Sequence, residues 1–277
     1  GAFAAASSIH LNIFGLNPVV VFGTDGQRAR MLPPIIKGDH RACFGVTEPD
    51  AGLDTGSLKT KAVRDGDTYI VQGRKVWTTN AQSSTHILLL VRTTPLEDVT
   101  RSTDGLSLFY TALNRDYVTV REIDKMGRKA VDSNEVFIDA LPVPATDLIG
   151  EEGKGFRYLL DGLNPERILV AAEAIGIARY AIGRAAKYAS ERIVFGRAIG
   201  QNQAIQHPLA ESWAELEAAD LLMLKAAQLY DAGKPCGAEA NAAKYFAAEV
   251  AYRACERALL THGGYGYAKE FVVERLL

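Results

Sequence analysis

The stretch His-Ile-Leu-Leu-Leu-Val at residues 86–91 contains an uninterrupted apolar run, Ile87 to Val91, in a chain of 277 residues. Its length suits a strand that is buried on both faces and is too short to span a membrane. Further short runs rich in β-branched and aromatic residues lie around it, at 68–71, 75–78, 106–111 and 118–120. Turn residues separate several of these runs. No ten-residue helical pattern lies between them, so we predict an antiparallel barrel or sandwich rather than βαβ units.

Helical periodicity precedes this β region. Apolar spacing predicts a helix from Ala4 to about Phe14 and a second, short helix over 25–36. Pro33 and Pro34 leave the end of that second helix open, because proline interrupts the hydrogen bonds of a regular helix.

Three long helices are predicted after about Gly153. The first has an apolar face that recurs every three or four residues from Ile168 to Ala189, and the others cover about 208–230 and 238–261. Pro208 is expected in the first turn of its helix, where the missing N–H has no helical partner to lose. Short connections join these helices, as in an antiparallel bundle.

The order of these regions predicts an α+β protein in three parts. A helical N-terminal portion covers 1–42, a central β domain covers 43–150 and a C-terminal helical bundle covers 151–277. A chain of this length can build two domains with a substantial buried core.

Composition excludes several classes of function. The net charge is −2 and the pI is near 6.3, so no basic field attracts nucleic acid, and local groups must hold any anionic ligand. The first residues lack the basic flank of a signal peptide, and no apolar run reaches membrane-spanning length. Cys43, Cys236 and Cys255 form no CxxC pair and the histidines are scattered, so we expect buried free thiols and no metal site.

Four short motifs carry the chemistry. The first, Phe-Gly-Val-Thr-Glu-Pro-Asp-Ala-Gly-Leu-Asp at 44–54, has small residues at Gly45 and Gly52 that allow backbone to approach a planar ligand. The second is Lys-Val-Trp-Thr-Thr-Asn at 75–80, where, taken alone, Trp77 is expected to pack in the core. The third is Glu-Arg-Ile-Val-Phe-Gly-Arg-Ala-Ile at 191–199 with Gln203, and the fourth is His-Gly-Gly-Tyr-Gly-Tyr at 262–267.

In this order and separation, the four motifs resemble those of the acyl-CoA dehydrogenase family, over essentially the whole chain. The resemblance implies a helical N-terminal portion, a central antiparallel β barrel, a C-terminal helical bundle and FAD as the cofactor. Family chains extend past both ends of this sequence, so we expect the N-terminal portion and the bundle to be incomplete here. The resemblance also implies a homo-oligomer, either a tetramer or a dimer.

The resemblance assigns the first two motifs to the flavin. Phe44, Val46 and Thr47 would line the ring, with backbone N–H groups and the Thr47 hydroxyl polarising its N5–C4 carbonyl edge. Trp77 would pack against the ring, and Thr78 and Thr79 follow it in the same motif, with Thr79 bonding near N5.

The last two motifs would hold the rest of the cofactor across a subunit boundary. Arg192, Phe195 and Gln203 would reach a neighbour's FAD pyrophosphate and adenine, and a guanidinium suits a pyrophosphate through its forked donors. The competing interpretation of Arg192 is a surface ion pair with Glu191 or another acid. Gly263 and Gly264 would let backbone pass close to the adenosine, but Leu260 stands where the family commonly has Gln, so we expect one hydrogen bond fewer to the cofactor.

The resemblance leaves two positions for the catalytic base. Much of the family uses a Glu in a loop beyond the last long helix, past the end of this sequence. A minority, including the isovaleryl and long-chain types, places the Glu on the long helix, immediately before a substrate-side Arg. Here that position reads Asn164-Pro165-Glu166-Arg167, so Glu166 is the candidate base, and the alternative is a structural Glu near the helix start.

The substrate contacts implied by the resemblance lie in both halves of the sequence. Gly52 and Leu53 would contact the pantetheine, Asn164 would bond in the CoA region and Arg167 would face the CoA entrance. The family often has a small polar residue at position 53, so Leu53 loses a possible hydrogen bond.

The resemblance implies α,β-dehydrogenation of an acyl-CoA, with α-proton abstraction by Glu and β-hydride transfer to flavin N5. It further implies fatty acid metabolism, electron transfer to an electron-transfer flavoprotein, and a place in the bacterial cytoplasm or the mitochondrial matrix. Two alternatives stay open: an acyl-CoA oxidase or related flavin monooxygenase of the same fold, and a non-catalytic acyl-CoA-binding homologue. Acyl chain length cannot be read from the sequence.

Overall fold

In the computed structural model, the described part of the chain is residues 15–277 together with Ala6 and His10. The predicted helix from Ala4 to Phe14 therefore lies almost wholly outside the described residues. Helix α1 includes residues 15–22, and α2 is Asp25–Lys37. Thr24 and Gln27 form a reciprocal capping box at the start of α2, which confirms the second predicted helix, and both prolines lie inside it.

Seven strands form one sheet: β1 (Ala42–Gly45), β2 (Lys61–Asp65), β3 (Thr68–Thr79), β4 (His86–Arg92), β5 (Leu106–Ala112), β6 (Val118–Glu122) and β7 (Ser133–Pro144). Their order is β1-β4-β2-β3-β7-β6, with β5 also paired to β4. The main pairings are antiparallel, as predicted, and the structure adds parallel pairings of β1 and of β2 with β4. The predicted runs at 68–71 and 75–78 are one strand, β3.

The apolar run at 86–91 is buried on both faces of the sheet. On one face, alternate residues such as Ile87 and Leu89 join Phe109 of β5 in a cluster with β3 and β7. On the other face, Leu88 and Leu90 pack with residues of α1, α2 and the first turns of the next helix. Continuous rather than alternating hydrophobicity is what two buried faces require.

Three long helices follow the sheet: α3 (Gly155–Glu191), α4 (Gln203–Asp231) and α5 (Gly237–Thr261). Between α3 and α4 lies a small hairpin, β8 (Ile193–Val194) and β9 (Arg197–Ala198). Alanines fill much of the core between the helices. The predicted placement of Pro208 in the first turn of its helix was wrong. Helix α4 begins at Gln203, so Pro208 is its sixth residue, and its missing N–H interrupts the backbone hydrogen bonds of the helix at that point.

The chain divides into two compact units, one ending at Leu163 and the other covering Asn164–Leu277. The division at 42 and 150 stays a prediction. Cys43, Cys236 and Cys255 are buried and free, as expected. Among the described helices, none combines the length and the apolar character needed to cross a bilayer.

Candidate functional site

The first motif begins on β1 and leaves the sheet after Gly45. Phe44 pairs with Leu88 of β4 and packs, together with Val46, against the apolar cluster that contains Leu88 and Leu90. A side chain at position 45 would place its Cβ 2.8 Å from Ile87 Cδ1. The close packing of β1 on β4 therefore favours glycine at position 45, and the expectation that Gly45 lets backbone approach a ligand stays a prediction.

A bulge in β3 decides the orientation of the second motif. The register with β7 shifts between Lys75 and Thr78, so that Val76 and Trp77 face the single residue Glu135. Trp77 has a φ of 62° and its side chain is 58% exposed. An exposed indole on a backbone conformation that bulky residues rarely adopt contradicts the expected core position and is typical of a binding surface.

Thr78, the next residue, has the opposite environment. It is 1% exposed, and its hydroxyl Oγ1 has no hydrogen-bond partner among the described residues. Its backbone carbonyl accepts a bond of 2.9 Å from Asn134 Nδ2, which holds the strand in place. A buried hydroxyl without a partner costs free energy, and a polar ligand group can remove that cost. Thr79 is partly buried and pairs with Ser133.

A buried ion pair ties the two motifs together, and the sequence analysis missed it. Lys75 Nζ donates to Glu48 Oε1 at 2.8 Å and to the carbonyl of Val46 at 3.1 Å. Val76 N also donates to the carbonyl of Thr47 at 2.9 Å. Burial lowers the pKa of Lys75 to about 8, although Glu48 acts to raise it. The sequence signal was a lysine at one of the inward positions of β3, in phase with the buried Tyr69 and Val71.

Electrostatics keep Glu48 ionised. Burial acts to raise the pKa of its carboxyl, but the positive charge of Lys75 and several hydrogen bonds outweigh burial and lower it. The carboxylate also accepts bonds from the backbone N–H groups of Lys59 at 2.7 Å and Thr60 at 3.0 Å. The first motif is therefore fixed by polar contacts inside its own unit.

The predicted substrate residues Gly52 and Leu53 lie at the exposed tip of the loop 49–58, whose Ala51 and Leu58 are buried. Leu53 is fully exposed, and a Cβ at position 52 would meet nothing within 4 Å. A fully exposed leucine on an anchored loop is consistent with a contact residue, and no packing among the described residues of the unit explains its identity.

In the second unit, the hairpin β8–β9 carries the third motif. Phe195 and Gly196 form its two-residue turn, and both have positive φ, 52° and 77°, as a type I′ turn requires. Phe195 is fully exposed. A bulky residue in the left-handed region, presented to solvent at the tip of a hairpin, is strained and indicates a role outside the fold of this unit.

A pocket of about 550 Å³ lies beside this hairpin within the second unit, lined by Arg192, Leu260, Gly263, Gly264 and neighbouring residues. The Arg192 guanidinium lies 5.7 Å from the ring centroid of Tyr265 and forms no ion pair with a carboxylate in the described part of the chain. The alternative of an ion pair with Glu191 or another acid is therefore not found among the described residues, and Glu191 pairs with Lys187 at 3.9 Å. Gln203 begins α4, is exposed and lies outside the pocket lining.

The candidate base Glu166 is the twelfth residue of α3, about three turns from its start. The helix dipole acts within the first turn, so the alternative of a Glu that stabilises the helix start is wrong. Arg167 donates a bond of 3.2 Å to Asn164 Oδ1, one turn earlier on the same helix. Pro165 lies inside the helix between them.

Comparison with known proteins decides the family. Residues 43–141 match the model of the acyl-CoA dehydrogenase middle domain, and residues 153–277 match that of the acyl-CoA dehydrogenase C-terminal domain. The chain belongs to the acyl-CoA dehydrogenase family. An acyl-CoA dehydrogenase of Bacillus subtilis is 38% identical over 271 residues, covering 98% of this chain and 70% of the relative.

Two further family members are informative. The caffeyl-CoA reductase–Etf complex subunit CarC of Acetobacterium woodii is 36% identical, over 99% of this chain and 72% of the relative. The solved structure of butyryl-CoA dehydrogenase from Megasphaera elsdenii has a TM-score of 0.92 at 34% identity, covering 99% of this chain and 70% of that one.

Membership makes this acyl-CoA dehydrogenase homologue an FAD-dependent oxidoreductase. The side chains present fit a flavin on three observations: the exposed Trp77 on its bulge, the unpartnered buried hydroxyl of Thr78, and the pocket with an unpaired guanidinium at Arg192. An aromatic face, a hydroxyl and a cation are suited to a ring, a polar ring edge and a pyrophosphate, respectively.

Proposed function

We propose that the protein oxidises an acyl-CoA thioester between its α and β carbons, with Glu166 as the catalytic base. The family supports acyl-CoA dehydrogenation as the reaction. The observation that carries the proposal for this chain is the β3 bulge, which lies in the middle of a flavin motif. The bulge exposes Trp77, and the buried hydroxyl of the next residue, Thr78, has no hydrogen-bond partner among the described residues. The bound flavin supplies the hydride acceptor at N5.

The residues of the first unit orient the reactants. Phe44, Val46 and Thr47 line one edge of the ring position, Trp77 packs against the ring, Thr78 contributes to the same cofactor motif, and Thr79 supplies a hydroxyl near N5. Gly52 and Leu53 contact the pantetheine from the 49–58 loop. Support comes from the fixed backbone of the first motif and from the exposure of the loop.

Proton transfer is assigned to the second unit. A Glu166 oxygen takes the α proton, while the partly buried Arg167 faces the CoA entrance and orders Asn164 by its hydrogen bond. Glu166 lies three turns inside α3, beyond the first turn in which the helix dipole acts, so stabilisation of the helix start does not account for it. The competing candidate is a Glu in a loop after the last long helix, as in much of the family.

The cofactor contacts of the second unit act across a subunit boundary in this proposal. Arg192 binds the pyrophosphate and Phe195 and Gln203 contact the neighbour's FAD, with Gly263 and Gly264 close to the adenosine. The exposed, strained Phe195 and the open pocket support an assembly of two or four copies. Electrons pass on to an electron-transfer flavoprotein, which the name of the CarC relative supports.

The experiment is anaerobic reduction of the FAD-loaded protein by a panel of acyl-CoAs, followed by absorbance. At least one acyl-CoA should bleach the wild-type flavin. Glu166→Gln keeps size and hydrogen bonding but removes the basic charge, so reduction should slow by about 10²–10⁴-fold while FAD and acyl-CoA binding survive. Near-normal reduction by Glu166→Gln would move the base to the later loop.

An oxidase or monooxygenase of the same fold is separated by a second measurement. Aerobic turnover with stoichiometric peroxide, or an oxygenated product, would replace the dehydrogenase proposal. Dependence on an electron-transfer flavoprotein, with little peroxide, is the expected result.

A further inference from the structure

Glu48 connects three segments of the first unit. Its side chain is 5% exposed and receives donors from Lys75 Nζ, Lys59 N and Thr60 N, at 2.8, 2.7 and 3.0 Å. Lys75 lies on β3, two residues before Trp77, and its ammonium also binds the carbonyl of Val46. The carboxylate of Glu48, the residue before the 49–58 loop, therefore binds the backbone directly after that loop and the flavin motif of β3.

The 49–58 loop is closed at its base by these bonds. Glu48 and Ala51 exchange backbone hydrogen bonds of 3.2 and 3.1 Å, which form a tight turn at the start of the loop. At the far end, the amides of Lys59 and Thr60 bind the Glu48 carboxylate. Arg92, which is buried, holds the loop between these points through the carbonyls of Gly56 and Leu58, at 2.8 and 3.4 Å.

We propose that Glu48 is a positioning residue that sets the 49–58 loop, and with it Gly52 and Leu53, relative to the flavin-contacting backbone of Val46–Thr47 and β3. The inference rests on the proposed function, because it assigns substrate contact to this loop. Glu48 acts through the backbone and does not itself touch the substrate.

Stability alone is a poor reason for this arrangement. A buried ion pair repays little more than its desolvation, and well-packed apolar residues of similar volume are often as stable. Apolar residues, however, cannot accept hydrogen bonds. The Glu48 carboxylate accepts them from two backbone amides and from the Lys75 ammonium at the same time. The geometry favours a role in the precise positioning of the 49–58 loop, since small displacements of substrate-contacting groups weaken substrate binding and lower the rate of reaction.

The test uses full-length, FAD-loaded protein and the acyl-CoA of a butyryl, octanoyl and isovaleryl panel that reduces the wild type fastest. Glu48→Gln should raise KM for that acyl-CoA by about tenfold with a smaller change in kcat. It should also speed hydrogen exchange of the amides in 49–60 in the FAD-free protein. The double variant Glu48→Gln, Lys75→Met removes both charges and leaves no unpaired ion buried. It replaces the single variant if Glu48→Gln does not fold, and it should show the same rise in KM.

Asp147→Asn is the matched control, because Asp147 is a buried acid of the same unit that pairs with Arg30 at 2.9 Å and touches neither motif. It should leave KM and the exchange of 49–60 at wild-type values. Wild-type KM in the Glu48 variants, or an equal KM rise in Asp147→Asn, would overturn the inference. A wild type that no acyl-CoA reduces would instead refute the proposed function.

Discussion

The two sets of proposed flavin residues differ in how the fold holds them. In the first unit, the backbone of 44–48 and 75–79 is fixed by a buried ion pair and by sheet pairing, and Thr78 is buried. In the second unit, Arg192 and Gln203 are exposed, and Phe195 is fully exposed on a strained turn. The first set is organised by its own unit, whereas the second presents apolar and charged groups that only a binding partner would bury.

The difference predicts a large stability effect in the first set. Lys75→Met leaves the Glu48 carboxylate buried without its counter-ion, so the free energy of unfolding should fall by about 3–5 kcal/mol. Urea unfolding of the FAD-free protein measures it. The loss should be smaller at pH 5 than at pH 7, where Lys75 of the wild type is still charged, because burial without a counter-ion raises the pKa of Glu48 in the variant and its protonation at low pH removes the uncompensated charge. A loss below about 1 kcal/mol would mean that the pair does not organise this unit, since that is the range of exposed pairs.

A ligand-binding effect without a stability effect is expected in the second set. Arg192→Ala should weaken FAD binding by about 1.5–3 kcal/mol, the value of a hydrogen bond to a charged group, and leave unfolding of the FAD-free protein unchanged. Titration calorimetry with FAD measures the first quantity. Arg184→Ala removes an exposed charge from the preceding helix α3 and should leave FAD binding at the wild-type value. Equal binding by Arg192→Ala and wild type would remove Arg192 from the cofactor site.

The smallest effect concerns the strain at Phe195. Gly accepts a positive φ without cost, whereas Ala keeps the Cβ that strains the turn, so Phe195→Gly should be more stable than Phe195→Ala by about 1 kcal/mol in the FAD-free protein. Both variants lose the ring, so both should shift the assembly measured by analytical ultracentrifugation towards smaller species to a similar extent. Unchanged assembly in both would show that Phe195 has no part in a subunit contact.

Much of the fold followed from local patterns. The continuous run at 86–91 requires two buried faces, and the 3,4 spacing of Ile168–Ala189 requires a helix with one packed face, so the sequence alone determined strand β4 and most of α3. The four motifs also determined the family, because their order and separation are specific where each alone is not.

Tertiary structure decided the strand pairings and side-chain environments that local sequence patterns do not specify. Pairing of β1 with β4 and the bulge opposite Glu135 depend on strands far apart in sequence, and the bulge alone makes Trp77 exposed and Thr78 buried. The ion pair between Lys75 and Glu48 is also non-local. The two residues are 27 positions apart, and they meet only because β3 lies beside the first motif in the folded protein. Residue type and spacing identify the groups that can bind a cofactor, but non-local pairing selects which of them the fold fixes and which it leaves exposed.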